Sequence, residues 1–379
     1  MKKIAVLGST GSIGIQTLDV ISCNSDKYKI TALIANSNKD LLRQQQVHFG
    51  VEYVGILDES LYADDGFDYG VNTLLRAVEL ADVIVVATRG IIALRAVIKA
   101  LKEGKRVAIA NKECVISAGE LLFKAKTEGN ALLLPVDSEH SAIFQCINGG
   151  QKPQKIILTC SGGAFWGRTS DELKDVKSED ALKHPKWSMG SKITVDSATL
   201  INKGFEILEA RWFFDVEPAN IDVVIHPQSI VHSMVEFCDG NILAQLGATD
   251  MRLPIAYALN YPQRLSGGFP RIDLKTIRNL QFFPVDDNVF KGINICVDAY
   301  YTHKLMPAVL VSADEVVVEY FLENKVSFYN IYEILEEVCK FYKNNIDCIN
   351  FDIDGILLLD KSVREYTKRL IEEKYVVVR

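Results

Sequence analysis

The sequence lacks the features that would place it in a membrane, in an oxidising compartment or on a nucleic acid. Its 379 residues contain no apolar run near the roughly 20 residues that span a bilayer. The first strand is expected almost at Met1, which leaves no room for a signal peptide. The eight cysteines form no C-x-x-C pair, so they indicate reduced thiols rather than disulfides or a zinc site. A net charge of −7 argues against nucleic-acid binding by the chain as a whole. We therefore expect a cytoplasmic protein.

The composition is that of a soluble globular protein, with 48% hydrophobic and 24% charged residues. At about 150 residues per domain, the length predicts two or three domains. We expect a cofactor-binding domain at 1–137, a catalytic domain at 138–265, a linker at 266–287 and a helical domain at 288–379.

The first 137 residues alternate short apolar runs with helical patterns, such as Ile15 to Ile21 and Ala93 to Leu101. The strand-like runs are KIAVLG (3–8), YKITALIA (28–35), ADVIVVAT (81–88), KRVAIAN (105–111) and NALLLPVD (130–137). Strands that are buried on both faces show such unbroken runs of Val, Ile, Leu and Ala. The pattern predicts an α/β fold with a Rossmann-like, doubly wound parallel sheet covered by helices.

The middle of the chain has an α+β pattern and the end is helical. A strand at 155–160 precedes two β-like runs at 222–237 and 241–249, and Asp239-Gly240 between them predicts a hairpin. Ser266-Gly267-Gly268-Phe269-Pro270 breaks the pattern. From about 288 the chain is predicted to be helical, and one helix has an apolar stripe typical of a bundle core. That stripe comprises Phe328, Ile331, Ile334, Leu335, Val338 and Phe341.

A glycine-rich turn follows the first strand and precedes a helix, which is where a dinucleotide fingerprint belongs. The turn runs from Gly8 to Gly14, with Gly11 between them, and its spacing is GxxGxxG rather than the commoner GxGxxG. Such a turn lets backbone N–H groups approach a pyrophosphate at a helix N-terminus. Glycines also occur in strand–helix turns merely for packing, but the position in the chain favours cofactor binding.

The end of the second strand favours NADP over NAD. NAD sites usually carry Asp or Glu there, to bind the ribose 2′-hydroxyl. Here the residues are Ala35-Asn36-Ser37-Asn38-Lys39, with Arg43 one turn further on. No carboxylate would repel a 2′-phosphate, and donors are present to hold one. The alternative is that the loop is polar only because it is exposed.

Asp137 and Glu139 follow an apolar strand and are candidates for a metal site. Residues i and i+2 of an extended chain share a face about 7 Å apart, a suitable bite for a divalent cation. Glu206 is a third candidate ligand, and three oxygen ligands suit Mg²⁺ or Mn²⁺ better than Zn²⁺. Lys112 also follows a strand of this sheet. The alternative is that Asp137 and Glu139 only cap a strand end in solvent.

The segment 184–214 combines cations, hydroxyls, amides and a carboxylate with two large apolar groups, Trp187 and Met189. A core segment would not bury so many polar groups, because each needs a partner. The pattern predicts a pocket for a small anionic ligand under a bulky flap. Ser161-Gly162-Gly163 is similar to an anion cradle. A phosphate monoester is the expected occupant, held with Ser197, Asn202 and Lys203; His184 and His232 are further candidates for substrate contacts.

These segments resemble one family closely. GSTGSIG at 8–14, ANKE at 110–113, VDSEHSAIFQ at 136–145, SGGAFW at 161–166, HPKWSMGSKITVDSATLINKGFEILEA at 184–210 and HPQSIVHSMVEF at 226–237 are similar to 1-deoxy-D-xylulose 5-phosphate reductoisomerases. The resemblance covers essentially the whole chain in order. It implies an NADPH-binding domain, a catalytic domain with a flexible lid, a C-terminal helical domain and a homodimer. It also implies conversion of 1-deoxy-D-xylulose 5-phosphate to 2-C-methyl-D-erythritol 4-phosphate in non-mevalonate isoprenoid biosynthesis.

The resemblance assigns roles residue by residue. A divalent metal, Mg²⁺ or Mn²⁺, would be held by Asp137, Glu139 and Glu206. Substrate contacts would come from Lys112, Ser138, Glu139, Ser161, His184, Trp187, Ser197, Asn202, Lys203 and Glu206. NADPH contacts would come from Gly8, Thr10, Gly11, Ser12, Ile13, Ser37, Asn38, Asn111, Glu113 and Gly190. Catalysis would involve Lys112, Glu139, Glu206 and His232, with Trp187 and Met189 on the lid.

Two segments depart from the family pattern. Asn36-Ser37 stands where many members carry a basic residue, so the 2′-phosphate contacts would come from Ser37, Asn38 or a residue nearby. The run from Ala87 to Gly90 includes Arg89 where small residues are usual. Two rival interpretations also remain: a metal-free NADP-dependent dehydrogenase of a sugar phosphate, and a non-catalytic NADP-binding regulator.

Overall fold

The computed structural model describes residues 1–147, 150–187, 189–266 and 268–375. Gly267 of the predicted linker and residues 376–379 of the predicted helical domain lie outside the described residues. The chain forms two compact units. The first comprises 1–115, 119–141 and 250–271, and the second comprises 116–118, 142–249 and the chain from 272 onward.

The described residues form strands and helices in the following order. The strands are β1 (Lys2–Leu7), β2 (Tyr28–Ala35), β3 (Tyr53–Ile56), β4 (Asp68–Tyr69), β5 (Val83–Val86), β6 (Arg106–Ile109), β7 (Leu132–Pro135), β8 (Lys155–Cys160), β9 (Ile221–Ile225), β10 (Val231–Glu236), β11 (Ile242–Leu246) and β12 (Phe283–Pro284). The helices are α1 (Ser12–Ser22), α2 (Lys39–Phe49), α3 (Asn72–Glu79), α4 (Leu94–Lys102), α5 (Lys112–Glu128), α6 (Ser138–Cys146), α7 (Ser178–Ala181), α8 (Ser191–Ala198), α9 (Ile201–Phe214), α10 (Arg252–Asn260), α11 (Gly292–Thr302), α12 (Met306–Leu322), α13 (Phe328–Lys343) and α14 (Ile353–Lys374).

A seven-stranded sheet forms the centre of the first unit, with the order β4-β3-β2-β1-β5-β6-β7. All of its strand pairs are parallel. Every residue of β5 and the last four residues of β1 are buried, as the continuous apolar runs predict. The strand order reverses between β1 and β5, and ligands of such sheets bind at this switch point, beyond the carboxyl ends of the strands. The predicted α/β fold is confirmed.

The first unit also contains a segment from late in the sequence. Helix α10 packs against α1, β6 and β7. The Arg106 guanidinium donates to the carbonyls of Leu259 at 2.6 Å and Tyr261 at 2.7 Å, which satisfies carbonyls at the end of α10. The Tyr28 hydroxyl donates to the Asn260 side chain at 3.1 Å. The predicted domain boundaries did not anticipate this return, and the three-domain division stays a prediction.

The second unit has a five-stranded mixed sheet with the order β11-β10-β8-β9-β12. Strands β10 and β11 are antiparallel, so the hairpin predicted at Asp239-Gly240 is confirmed. Helix α9 packs on β8, and their apolar residues share one buried cluster that includes Leu158, Ile207 and Val235.

Helices α11 to α14 form the C-terminal part of the second unit. Five residues of the predicted stripe on α13 are fully buried, but Phe341 is 39% exposed. Its ring stacks instead on Tyr366 at a centroid distance of 4.0 Å, so its assignment to the core was wrong. In the part of the chain that the structure describes, no helix has both the length and the apolar surface required to cross a membrane.

Candidate functional site

The glycine-rich turn has the geometry that a pyrophosphate requires. Gly8 has φ +94°, and a Cβ there would lie 2.4 Å from the Ala87 carbonyl oxygen at the end of β5. A Cβ on Gly14 would lie 2.2 Å from the Gly8 carbonyl oxygen, whereas one on Gly11 would meet only that oxygen, at 3.5 Å. Two glycines therefore allow close packing, and Gly11 leaves the turn open. No side chain caps α1 within the described residues, so the first N–H groups of the helix can meet an anion.

The other predicted NADPH contacts of this turn are accessible. Ser12 is exposed, and Thr10 and Ile13 are half-buried. At the end of β2, Ser37 and Asn38 are both exposed, and the Asn38 side chain caps α2 by accepting from the Leu41 N–H at 3.1 Å. These positions lie beyond the carboxyl ends of neighbouring parallel strands, as the sequence predicted.

Asn111 has a structural task that the sequence did not reveal. Its Nδ2 donates to the carbonyls of Thr88 at 2.9 Å and Gly90 at 2.7 Å, and its Oδ1 accepts from the Cys114 N–H at 2.7 Å. The side chain is buried and ties the loop after β5 to the start of α5. Any contact between Asn111 and NADPH stays a prediction; Glu113, also predicted to contact it, is half-buried in the first turn of α5.

Asp137 and Glu139 lie close together, but not for the reason that the sequence suggested. Glu139 is in the first turn of α6, so the expectation of an extended chain with two residues on one face was wrong. Asp137 precedes that helix, and its carbonyl accepts from the Ser141 N–H at 2.8 Å. A helix start brings the two carboxylates together: their oxygens lie within 4.8 Å of each other. The Ser138 hydroxyl bonds to Glu139.

Lys112 supplies the cation that this carboxylate pair needs. Its Nζ lies 2.6 Å from Asp137 Oδ2, and Lys112 is buried at the start of α5. Burial alone would raise the pKa of Asp137. The Lys112 ammonium, helped by His140 and Glu139, nevertheless holds that pKa well below its usual range. Asp137 is therefore ionised at neutral pH, as a metal ligand must be.

In the second unit, Glu206 and Lys203 form a buried ion pair on α9. Lys203 Nζ lies 2.5 Å from Glu206 Oε2 and donates to the Thr159 carbonyl at 2.8 Å. The Asn202 amide donates to the other Glu206 oxygen at 2.5 Å. Glu206 is 1% exposed, and these bonds fix its carboxylate in orientation.

Ser161, the first residue of the segment 161–163 that the sequence proposes as an anion cradle, is hydrogen-bonded to His184. His184 Nδ1 accepts from the Trp187 N–H at 2.9 Å, so Nε2 carries the proton and donates to Ser161 Oγ at 2.9 Å. The Gly163 N–H also donates to Ser161 Oγ, at 3.2 Å. Ser161 thus accepts two bonds and turns its own hydrogen toward a ligand. Burial lowers the pKa of His184, which keeps the ring neutral.

Close packing positions the rest of the cradle. Gly163 has φ +70°, and a Cβ there would lie 2.5 Å from the Ser197 carbonyl oxygen, so only glycine lets the loop approach α8. Ser197 is half-buried near the end of α8. Gly190 precedes α8, and within the described residues no side chain caps this helix.

Trp187, which the sequence places on a flap, lies near His232. The rings of Trp187 and His232 have a centroid distance of 6.2 Å, and His232 Nε2 lies 3.2 Å from the Ala248 carbonyl oxygen. His232 is 8% exposed on β10, and Met189 is half-buried. Ser188, within the same motif, lies outside the described residues.

Three family models match successive parts of the chain. The 1-deoxy-D-xylulose 5-phosphate reductoisomerase model matches residues 4–119, and the C-terminal domain model of the same family matches 133–214. A further DXP reductoisomerase C-terminal domain model matches 246–366. The 1-deoxy-D-xylulose 5-phosphate reductoisomerase of Clostridium perfringens (strain 13 / Type A) is 44% identical over 390 residues, with 99% of this chain and 100% of the relative covered.

The chain belongs to the 1-deoxy-D-xylulose 5-phosphate reductoisomerase family.

Solved structures agree with this family assignment. The family member from Zymomonas mobilis in complex with NADPH is 35% identical, with a TM-score of 0.89 and 98% of each chain covered. A DOX-P reductoisomerase in complex with NADPH, fosmidomycin and magnesium is 33% identical, with a TM-score of 0.92 and coverage of 99% of this chain and 100% of that one. The family resemblance inferred from the motifs is confirmed.

Sequence reasoning missed Thr159, which connects the family's motifs in the second unit. Its carbonyl accepts from Lys203, and its hydroxyl donates to the carbonyls of Val231 at 2.7 Å and His232 at 2.9 Å. A threonine near the end of a buried strand is a weak signal, because it is also common as a packing residue. The roles of the individual predicted site residues stay predictions.

Proposed function

We propose that this chain catalyses the NADPH- and divalent-metal-dependent conversion of 1-deoxy-D-xylulose 5-phosphate to 2-C-methyl-D-erythritol 4-phosphate, a step of non-mevalonate isoprenoid biosynthesis. Family membership makes it an NADP-dependent oxidoreductase. The observation that carries the proposal is the close pair of carboxylates, Asp137 and Glu139, with Lys112 paired to Asp137, in a chain that matches the family over its whole length.

The residues of the first unit fit NADPH. The open turn at Gly11 and the uncapped start of α1 can accept the pyrophosphate, through the backbone of Thr10, Ser12 and Ile13. Ser37 and Asn38 are exposed at the end of β2, where the adenosine ribose of such cofactors binds. In this proposal Asn111 positions the loop after β5, and Glu113 and Gly190 complete the contacts.

The donor set also fits a divalent metal. Two carboxylates whose oxygens lie within 4.8 Å of each other can share a cation, and carboxylate oxygens are the ligands that Mg²⁺ and Mn²⁺ prefer. We assign Asp137, Glu139 and Glu206 as the ligands. A bound divalent cation would polarise a substrate carbonyl and ease the ionisation of a neighbouring hydroxyl.

The second unit fits the phosphate of the substrate. Ser161 turns its hydroxyl hydrogen outward because His184 and Gly163 already donate to its oxygen. Ser197, Asn202 and Lys203 would complete the cradle. These residues perform no chemistry in this scheme; they fix the distal end of the substrate, so that its binding energy orients the reacting carbons.

The remaining residues would act at the reacting carbons. Lys112 and Ser138 lie beside the carboxylate pair and would bind substrate oxygens there. Trp187 would cover the reacting carbons and exclude water, with His232 beneath it. The ring of His232 is anchored at the Ala248 carbonyl, so it can hold a substrate hydroxyl in a fixed direction.

We also propose a cytoplasmic location and a homodimer. All eight cysteines are free thiols, which agrees with a reducing compartment. The homodimer rests on the family resemblance alone, and size-exclusion chromatography with light scattering would measure it.

The test is NADPH oxidation with 1-deoxy-D-xylulose 5-phosphate, followed at 25 °C with Mg²⁺, with Mn²⁺ and after treatment with EDTA. We expect turnover only with metal, and its return when the metal is added back. Activity that persists in EDTA would favour a metal-free dehydrogenase, and no turnover under any condition would favour a non-catalytic regulator.

A matched pair of variants localises the metal site. Asp137→Asn keeps the size of the side chain but removes a charge, so metal affinity should fall by about 10- to 100-fold, as for loss of other metal-site groups. Asp171→Asn removes a charge from an exposed residue of the second unit and should change nothing. Equal metal affinity in the two variants would contradict the assignment of Asp137.

A further inference from the structure

Lys39, the first residue of α2, is held by a neighbouring acidic segment. We call residues 57–70 the acidic loop. Lys39 Nζ lies 2.5 Å from Asp65 Oδ2 and donates to the Leu61 carbonyl at 3.1 Å. The same ammonium lies 5.3 Å from the centroid of the Tyr69 ring. The acidic loop therefore surrounds the lysine with an anion, a carbonyl and an aromatic face.

Arg43, one turn further along α2, faces the same loop. Its guanidinium donates to the Asp65 carbonyl and to the Gln46 side chain, the latter at 2.5 Å, and lies 4.1 Å from the centroid of the Phe67 ring. Both cations that the sequence offered to a 2′-phosphate are thus engaged within the protein. The exposed residues between the end of β2 and Lys39, which are Asn36, Ser37 and Asn38, are uncharged, and an exposed carboxylate, Asp40, follows Lys39 in the first turn of α2.

Hydrogen bonds within the acidic loop fix the orientation of the Asp65 side chain. Its carboxylate accepts from the Tyr69 hydroxyl at 2.9 Å and from the Phe67 N–H at 3.3 Å. The hydrogen bond from Lys39 lowers the pKa of Asp65, and the reciprocal bond raises the pKa of Lys39. Both groups stay ionised at neutral pH, so the pair is a fixed charge contact near the end of β2.

The ion pair of Lys39 and Asp65 lies near the end of β2, where its charge affects coenzyme binding. In a doubly wound sheet the residues that follow β2 face the adenosine ribose, and the charge there selects between a 2′-hydroxyl and a 2′-phosphate. Lys39 follows Ser37 and Asn38 directly. A carboxylate on its ammonium offsets the positive charge that a 2′-phosphate would meet.

We propose that Asp65 is a specificity-determining residue: its carboxylate competes with the coenzyme's 2′-phosphate for Lys39 and weakens the preference for NADPH over NADH. The inference rests on the proposed coenzyme site, but not on the substrate or the metal. NADH has no group that competes for Lys39, so its binding is independent of the pair.

The test compares two neighbouring isosteric variants. Asp65→Asn removes the competing charge, and its side-chain oxygen can still accept from Phe67 and Tyr69. Asp64→Asn changes the net charge equally at an exposed position and is the control. Dissociation constants for NADPH and NADH are measured by fluorescence, without substrate or metal. We expect Asp65→Asn to bind NADPH about three- to tenfold more tightly, as for release of a surface ion pair, and NADH unchanged.

A second variant tests the lysine. Lys39→Met should weaken NADPH about three- to tenfold and leave NADH unchanged. In the double variant Lys39→Met with Asp65→Asn, the tighter binding of NADPH seen for Asp65→Asn alone should disappear, because the Lys39 ammonium is absent. NADPH affinity that is unchanged or weaker in Asp65→Asn overturns the proposal, as does equal weakening of both coenzymes in Lys39→Met. Wild-type protein that binds neither coenzyme would instead count against the proposed function.

Discussion

The buried pair of Lys203 and Glu206 changes how the predicted ligand Glu206 can be tested. Both side chains are nearly inaccessible, and the pair is closed by Asn202 and the Thr159 carbonyl. Removing one member of such a pair leaves an uncompensated buried charge, which costs about 3–5 kcal/mol of stability. A substitution at Glu206 therefore affects folding as well as activity.

We expect Glu206→Gln to lower both the free energy of unfolding and kcat. The glutamine keeps the volume, but it places an amide beside a buried ammonium that has lost its counter-charge. The expected loss is about 3 kcal/mol in urea unfolding. Turnover with saturating NADPH and metal should fall by at least about 100-fold if the carboxylate is a metal ligand.

A double variant separates the two effects. In Glu206→Gln combined with Lys203→Met the buried charge is gone, so most of the lost stability should return. Activity should not return, because the proposed metal ligand is still missing and Lys203→Met also removes a proposed phosphate contact. Recovery of activity together with stability would show that Glu206 acts only through the fold.

At the scale of elements, the contact between α8 and α12 depends on three charged side chains. Lys192 on α8 lies 2.6 Å from Asp196 on the same helix and 2.6 Å from Asp314 on α12. Asp314 has no exposed surface, and burial raises its pKa above the ordinary value although the Lys192 ammonium opposes this. One cation between two buried carboxylates favours retention of a proton by the acid pair.

This proton makes stability depend on pH in a predictable direction. The pKa of Asp314 is higher in the folded state than in the unfolded state. The contribution of protonated Asp314 to the free energy of unfolding is therefore complete at pH values below the pKa of the unfolded state. It is lost as pH rises through the pKa of the folded state. Asp314→Asn removes this loss, so the variant should gain stability relative to wild type as pH rises from 4, by about 1.4 kcal/mol per unit of raised pKa.

Urea unfolding between pH 4 and pH 8 measures this difference. The groups that face Asp314 are Lys192, Asp196, Glu315 and the Cys296 thiol, and all are unchanged in the variant. Glu319→Gln, at an exposed position of the same helix, is the control and should follow wild type at every pH. A constant offset between Asp314→Asn and wild type would contradict the retained proton.

The elements themselves could be predicted where one physical signal dominates. Strands β2 and β8 have the predicted bounds, and for β2 the reason is that strands inside a parallel sheet give nearly unbroken apolar runs. Strands β3 and β4 were missed, because Gly55 interrupts the short apolar run of β3 and β4 has only two residues, Asp68 and Tyr69. Glu139 was expected on an extended chain, but α6 begins at Ser138; Asp137 directly before the helix and Glu139 in its first turn are a helix-start signal that the prediction did not use.

At the scale of the whole chain, sequence motifs named candidate site residues but did not reveal the contacts that these residues make. The predictions placed Lys203 at a phosphate and Lys39 near the coenzyme, yet both cations have protein partners. The return of 250–271 to the first unit was also missed, because it depends on bonds such as Arg106 to the Leu259 carbonyl. Distant partners of this kind leave no local pattern.

The two units should respond to different parts of the ligands. We expect saturating NADPH to slow amide hydrogen exchange at residues 8–14 and 37–38, and inorganic phosphate to slow it at 161–163. NADPH at 100 times its dissociation constant should also stabilise the fold by about 2.7 kcal/mol.

Gly11→Val is the matched variant. Gly11 has φ −81°, so the backbone accepts valine, but the valine side chain would fill the open turn. It should abolish the NADPH effect and leave the phosphate effect intact, whereas protection by NADPH that survives in this variant would contradict the turn as the pyrophosphate site.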